Sequence, residues 1–478
     1  AAYFREAPHR DAAWAVYFLV GERLRRSVPS AALRSWCGEL TGLPAWLVEE
    51  TYAHVGDLAE TVALLLHTAD VVEDRDREAL PPLGTLVEET LLPLPELDEP
   101  RRRAVVTDLW RRCGVRSAFL VNKLLTGGLR VGVSRALVLR ALAQASGVPR
   151  DALAHRLMGR WTPSAEAFEA LVDPDASDSD PSRPYPFFLG HPLETGPGTL
   201  GPVEAWLAEW KWDGIRAQLV RRAGGTFLWS RGGELLDGRF PEIEEAAAAL
   251  PDGTVLDGEI LAWRAGPLDF RTLQSRINKQ RPGPALLRRA PCVFLAFDLL
   301  EADGEDVRTL PLDDRRERLA GRVPAPESHP DAVLRRSTGV PAERWEDLSR
   351  ARSGARERGV EGLVLKSRSS AYGTGRQRGA WWKWKLDPYT VDAVLIYAQA
   401  GHGRRANQFT DYTFAVRDGA DLVPVAKAYS GLTHDEIAEL DAWIRGHTLE
   451  RFGPVRSVPA QQVFELACEN IAPSSRHR

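Results

Sequence analysis

Chemistry in this chain is best sought first at a lysine held between two tryptophans, in Glu209-Trp210-Lys211-Trp212-Asp213-Gly214-Ile215-Arg216. A poorly hydrated ammonium is pushed towards its neutral, nucleophilic form, and the flanking indoles suggest such a setting. Asp213-Gly214 reads as a turn whose glycine lets the backbone approach a ligand, with Arg216 spaced to reach a phosphate or sugar. The same octet also fits a surface strand end with a snorkelling lysine, so alone it decides nothing. Lysine is scarce here. Of 62 lysines and arginines, only Lys123, Lys211, Lys279, Lys366, Lys383, Lys385 and Lys427 are lysine. An ammonium can become a neutral nucleophile and a guanidinium effectively cannot, which makes each retained lysine a candidate for chemistry.

Downstream follow Ser230-Arg231-Gly232, Asp257-Gly258-Glu259, Phe297-Asp298, Glu361-Gly362-Leu363-Val364-Leu365-Lys366 and Trp382-Lys383-Trp384-Lys385. Counting Lys211, four of the seven lysines fall within this ordered set. Its chemistry is coherent: cations neutralise a polyphosphate, paired carboxylates hold a divalent cation, and an aromatic ring stacks on a base.

The elements that must position these residues are legible from periodicity. Residues 1–172 carry apolar positions at three- and four-residue spacing, broken by GLP at 42–44 and LPP at 80–82, and read as an all-α array. Arginines cluster at 101–103 and at Arg111, Arg112 and Arg116. The acidic, Ser/Pro-rich stretch at 173–187 reads as a linker and a place for rotation. From 188 to 387 the period becomes two, in TFLWS, TVLDGEILAW, VFLAFDLL and EGLVLKS, with helical pieces at 239–250 and 311–320. This is an α+β domain rich in antiparallel sheet. From 388 to 478, short strands and a helix entered by a Thr433/Glu436 capping box and running to Phe452 suit an OB-type barrel.

Composition narrows the classes. The chain has 478 residues, 44% hydrophobic and 27% charged, which excludes wholesale disorder and predicts about three domains. No apolar run has the roughly 18 residues of a membrane span. Cys37, Cys113, Cys292 and Cys468 are dispersed, which argues against a zinc site or disulfide framework and fits a reducing cytoplasm.

The ordered series resembles the collinear motifs of covalent nucleotidyltransferases: DNA ligases, RNA ligases and capping enzymes. The resemblance implies that Lys211 is the adenylylated residue, Glu209 lies beside the adenine, and Arg216 and Arg231 contact ribose and phosphate. It makes Glu259 a carboxylate for ribose or metal, Phe297 the ring stacked on the base, and Glu361 the second metal-linked carboxylate. Lys383 and Lys385 then touch the α-phosphate, and YGTGRQRG (372–379) resembles an arginine-bearing loop in which Arg376 or Arg378 contacts the nucleotide.

KLLTGGLRVGVS (123–134) is similar to the signature of the helical DNA-binding domain of archaeal and eukaryotic ATP-dependent DNA ligases, with Thr126 and Arg130 against phosphates. AGHGRRANQFTDYTF (400–414) resembles the start of the OB domain of those enzymes, where Arg404 and Arg405 would touch DNA. The closest form is the bacterial ATP-dependent DNA ligase with an N-terminal helical domain. Its cofactors are ATP and Mg²⁺ or Mn²⁺. Its partner is nicked duplex DNA encircled by a monomer, in repair, replication or recombination in the bacterial cytoplasm, near the nucleoid. RNA ligase and GTP-dependent capping enzyme are the rival enzymes, and a DNA-binding scaffold is the non-enzyme alternative. Members of this family end in a basic motif that orients the β- and γ-phosphates, and none is read before Arg478. With a start inside a helix, the chain reads as part of a longer protein. A chain ending there is expected to adenylylate itself poorly while still sealing a preformed adenylylated nick.

Overall fold

The computed structural model describes residues 1–76, 80–127, 129, 132–158, 161–176, 180–401 and 407–468. They form two compact units, one of residues 1–6, 139–162 and 166–387 and one of 7–138, 163–165 and 388–478. Among the described residues no helix is long and apolar enough to cross a membrane.

Helices Ser30–Thr41 and Ala45–Val55 each end on a glycine at positive φ, Gly42 and Gly56, and Leu58–Thr68 is started by the Asp57 carboxylate. Their inward stripes meet Trp14, Leu33, Trp36 and Trp110 in one core, where the Trp110 indole donates to Asn122 Oδ1 at 2.8 Å.

In the first unit the strands are β1 (Phe188–Leu189), β2 (His191–Pro192), β3 (Trp206–Trp212), β4 (Ile215–Arg222), β5 (Gly225–Ser230), β6 (Thr254–Ala262), β7 (Cys292–Ala302), β8 (Glu305–Asp306), β9 (Leu334–Arg336), β10 (Val360–Ser367), β11 (Gly375–Arg376) and β12 (Trp381–Lys385). One sheet runs β2-β12-β10-β3 and another β5-β4-β6-β7-β8, with β9 parallel to β7. The two sheets share the Asp213-Gly214 turn. A Cβ on Gly214 would collide with the Ile260 carbonyl and the Glu259 side chain, so only glycine lets β3 and β4 meet there.

The linker reading needs correcting over 180–187. The Trp229 indole donates to the Ser182 carbonyl, Gln218 holds both backbone groups of Tyr185 at 2.8 and 2.9 Å, and the Tyr185 hydroxyl donates to Glu301 at 2.7 Å. With Tyr185 and Phe187 buried, this half of the segment is a strap laid on the sheet, fixed by partners far away in sequence.

After Asp387, β13 (Tyr389–Ala400), β14 (Phe409–Asp418), β15 (Asp421–Ala428), β16 (Glu450–Phe452), β17 (Val455–Ser457) and β18 (Val463–Cys468) make a six-stranded sheet. β13 pairs with β14 on one edge, and on the other with β18 and then β17, with register shifts that curl it. Thr433 and Glu436 form the expected capping box, and Ile437, Leu440 and Ile444 are buried. The helix stops at Gly446, six residues short of the expected end. Residues 450–452 instead pair with β17, because the backbone bonds offered by a sheet edge outweigh helical continuation through Gly446 and Thr448.

Candidate active site

Strand alternation settles which side chains meet. On β3, Glu209 and Lys211 share one face and Trp210 and Trp212 the other. Trp210 packs with Leu363 and Trp384, and Trp212 lies edge-on to Trp263 at 5.6 Å. The tryptophans therefore do not wrap the Lys211 amine; they anchor the strand from behind. The amine, on a side chain only 19% exposed, is ion-paired with Glu361 at 2.7 Å.

Glu361 reaches that position through a bulge. Leu363 and Leu365 of β10 face the core, and Val364 and Lys366 face the site, so simple alternation would turn Glu361 into the core. The pairing register of β10 with β3 shifts between Val360 and Leu363, at Gly362, whose φ is 135°. A Cβ there would strike the Trp384 carbonyl, so the flip requires glycine. β12 then contributes Trp381, Lys383 and Lys385 to the same side.

These faces and the β4–β6–β7 sheet line a cleft of about 500 Å³. It holds Glu209, Lys211, Arg216, Arg231, Glu259, Phe297, Glu361, Lys383 and Lys385 together. Nine of the residues predicted from sequence thus converge, although they span 177 positions of the chain from Glu209 to Lys385.

Electrostatically the cleft is divided. Glu209 is buried, with Oε2 accepting from Lys366 at 2.6 Å and Oε1 lying 3.2 Å from Arg316. Burial alone would raise its carboxyl pKa, but Lys366 and Arg316 reverse that and hold it low. Burial likewise opposes ionisation of Glu361, and Lys211 and Lys385 overcome it. The Glu259 carboxylate makes no hydrogen bond or ion pair among the described residues, and burial pushes it up to about 8 despite Lys211, Arg216 and Arg231. Lys383 falls to about 8 through burial and repulsion from Lys211, Arg231, Arg216 and Arg376. No acid pairs with Arg231 or Lys383 among the described residues. Two cations without counterions beside a lysine amine suit a polyanionic ligand.

Arg216 is more committed than the sequence suggests. Its Nε and Nη2 bond Asp257 at 3.2 and 2.7 Å, and the guanidinium lies 5.3 to 5.5 Å from the rings of Phe187, Phe297 and Trp381. Tyr372 donates to the same Asp257 at 2.6 Å. Phe297 also carries the Lys366 ammonium 4.0 Å from its ring centre.

Arg376 and Arg378 are exposed and do not line the cleft, although Arg376 is close enough to depress Lys383. The Thr126 hydroxyl donates to the Asn122 carbonyl at 2.8 Å, a bond within its own helix. Arg130, Arg404 and Arg405 lie outside the described residues. In the arginine clusters, Arg102 donates to the carbonyls of Leu94, Pro95 and Leu97, and Arg103 pairs with Glu39 at 2.6 Å. Both serve the fold.

Sequence reasoning missed Trp381, Ser337 and Arg316, and gave Lys366 no role. The scarcity of lysine already marked Lys366; nothing local marked Arg316, which reaches the site from helix Leu312–Ala320. Among the described residues no group of three or more His, Cys, Asp or Glu side chains could hold a metal alone. Glu259 and Glu361 fit the pattern of a Mg²⁺ shared with ligand phosphates, which needs only one or two carboxylates.

Comparison with known proteins bears on this cleft. Residues 200–385 match the family described as ATP dependent DNA ligase domain, and residues 1–143 match DNA ligase N terminus. A probable DNA ligase of Koribacter versatilis is 33% identical, with 100% of this chain and 86% of that protein covered. A probable DNA ligase of Opitutus terrae is 36% identical over 74% of this chain, which spans 41% of that longer protein. A solved structure described as Pmar-Lig_Pre shares the fold over 78% of each chain, with TM-score 0.53 and 15% identity.

Proposed function

From the premise that this chain belongs to the ATP-dependent DNA ligases, we propose that it seals nicked duplex DNA through a covalent adenylate on Lys211. The supporting observation is the position of the Lys211 amine, inside the cleft, 2.7 Å from Glu361 and beside two cations that have no acidic partner among the described residues.

In the first step the neutral Lys211 Nζ attacks the α-phosphorus of ATP. A nitrogen–phosphorus bond forms, the α–β anhydride breaks, and pyrophosphate carries away the electron pair. Glu361 Oε2 is the acceptor in reach of the lysine proton. Arg231, Lys383 and Lys385 neutralise charge on the phosphates. Phe297 stacks on the base, and Glu209 Oε1, buried and facing Arg316 at 3.2 Å, accepts from the adenine amino group. Arg216, anchored by Asp257, has Nη1 left for the ribose or α-phosphate, and Glu259 takes a ribose hydroxyl or a cation. Mg²⁺ held by Glu259, Glu361 and the phosphates would neutralise charge on the leaving group.

In the second step a 5′-phosphate oxygen of the nick attacks the lysyl-bound phosphorus and frees Lys211. In the third, the 3′-hydroxyl attacks the activated 5′-phosphorus and AMP leaves. Residues 1–172 serve as a duplex-binding domain, 188–387 as the adenylyltransferase domain and 388–478 as an OB-fold domain, in a monomer around the DNA. The test is incubation with ATP labelled at the α-phosphorus, followed by peptide mapping. One AMP on the peptide containing Lys211 is expected; AMP on any other peptide overturns the assignment.

A further inference from the structure

We propose that the exposed face of residues 264–289 is a docking surface for the phosphate backbone of duplex DNA. The inference rests on the DNA substrate of the family and not on the role of Lys211. This segment holds seven basic residues and one acid, Asp269, in a chain whose net charge is −4. Helix Phe270–Ile277 carries Arg271 and Arg276, helix Pro284–Arg289 carries Arg288 and Arg289, and Arg264, Lys279 and Arg281 lie in the segments before and between them.

One of the seven is structural. Arg276 is fully buried, grips Glu242 at 2.8 and 2.9 Å, and donates to the Ala290 carbonyl at 2.6 Å and the Arg239 carbonyl at 2.9 Å. It locks the two helices into a rigid platform. Arg264 adds to this by donating to the Arg288 carbonyl at 2.7 Å. Arg271, Lys279, Arg281, Arg288 and Arg289 are exposed, and none forms an ion pair with an acid among the described residues. Asp269 is already occupied, capping the first helix through Thr272. Cations kept apart from carboxylates on a preorganised support match a polyanion better than they match solvent.

The position of the platform selects the polyanion. Phe270 lines the nucleotide cleft and Arg271 follows it on the exposed side, above a groove lined by Arg264, Arg271 and Arg289. The basic face therefore continues from the rim of the cleft. A duplex with its nick at the cleft must extend along neighbouring surface, whereas a free nucleotide is accommodated in the cleft itself.

The test uses the full chain with two double variants, Arg271→Ala with Lys279→Ala and Arg288→Ala with Arg289→Ala. Arg276 stays intact, and a control removes two exposed cations elsewhere, Arg318→Ala with Arg350→Ala. Affinity for a nicked duplex is measured between roughly 50 and 200 mM salt, beside ATP labelling without DNA. Each platform double should weaken binding about tenfold and lower the log–log salt slope by roughly 1 to 2, since each lost phosphate contact removes about 0.9. Labelling and the control should match wild type. Unchanged affinity and slope in both platform doubles, or an equal loss in the control, overturns the proposal. Failure of wild type to label defeats the Lys211 reading alone, because the DNA-binding comparison still decides this one.

Discussion

Arg316 Nη1 lies 3.2 Å from Glu209 Oε1, and the same nitrogen donates to the Phe297 carbonyl at 3.1 Å. One guanidinium on helix Leu312–Ala320 thus fixes both the carboxylate and the strand carrying the ring assigned to the adenine. Arg316→Ala leaves Glu209 buried with half its charge compensation. Removing one partner of such a pair costs about 3 kcal/mol of stability. The KM for ATP in self-adenylylation should rise about tenfold, a loss of about 1.4 kcal/mol of binding. Sealing of a pre-adenylylated nick should change much less. Equal losses in both assays would mean that Arg316 supports the fold without orienting the base.

Replacing Lys211 separates chemistry from binding. Lys211→Ala removes the nucleophile, and Lys211→Arg retains a cation opposite Glu361 that stays protonated at working pH. Both should eliminate covalent AMP while nicked-duplex affinity stays within about threefold of wild type. Gel-resolved AMP labelling and a filter-binding titration report the two properties independently. Measurable labelling of Lys211→Arg would place the nucleophile elsewhere.

The two groups near pH 8 give opposite slopes. Glu259 is raised from 4.5 to about 8, so the folded state binds more protons than the unfolded state across that interval. Stability supplied by its neutral form is present below 4.5 and lost as pH rises to about 8. Lys383 is lowered from 10.5 to about 8, so between those values the unfolded state binds more protons and stability rises with pH. Glu259→Gln should flatten the decline between about pH 5 and 8 in urea titrations. A triphosphate beside Lys383 favours its ammonium form, so ATP binding at about pH 8.5 should take up a proton. Calorimetry in two buffers of different ionisation enthalpy measures that uptake, and Lys383→Met should abolish it.

These residues also show what a linear sequence reveals. The motif residues on β3, β6, β7, β10 and β12 were legible because each lies in a period-two segment with a side chain costly to bury without purpose. The tryptophans beside Lys211 misled, because neighbours along a strand point to opposite faces. Arg316 and Arg276 were invisible for the converse reason: both sit in ordinary helical patterns and gain their roles from partners far away in sequence. The strap at 180–187 read as a tether because its composition is that of a loop, while its hydrogen bonds come from Gln218, Trp229 and Glu301.

Gly362 tests whether the bulge is part of the site. Its positive φ and the nearby Trp384 carbonyl leave no room for a Cβ. Gly362→Ala must either strain the backbone, at about 1 to 3 kcal/mol, or straighten β10 into regular alternation. Straightening turns Glu361 away from Lys211 and breaks the 2.7 Å pair. The variant should therefore lose Lys211 labelling about as severely as Glu361→Gln, which keeps the bulge and removes only the charge. Adding Glu361→Gln to Gly362→Ala should then produce little further loss, because both changes act on one contact. Multiplicative losses in the double variant would show that the bulge and the carboxylate act independently.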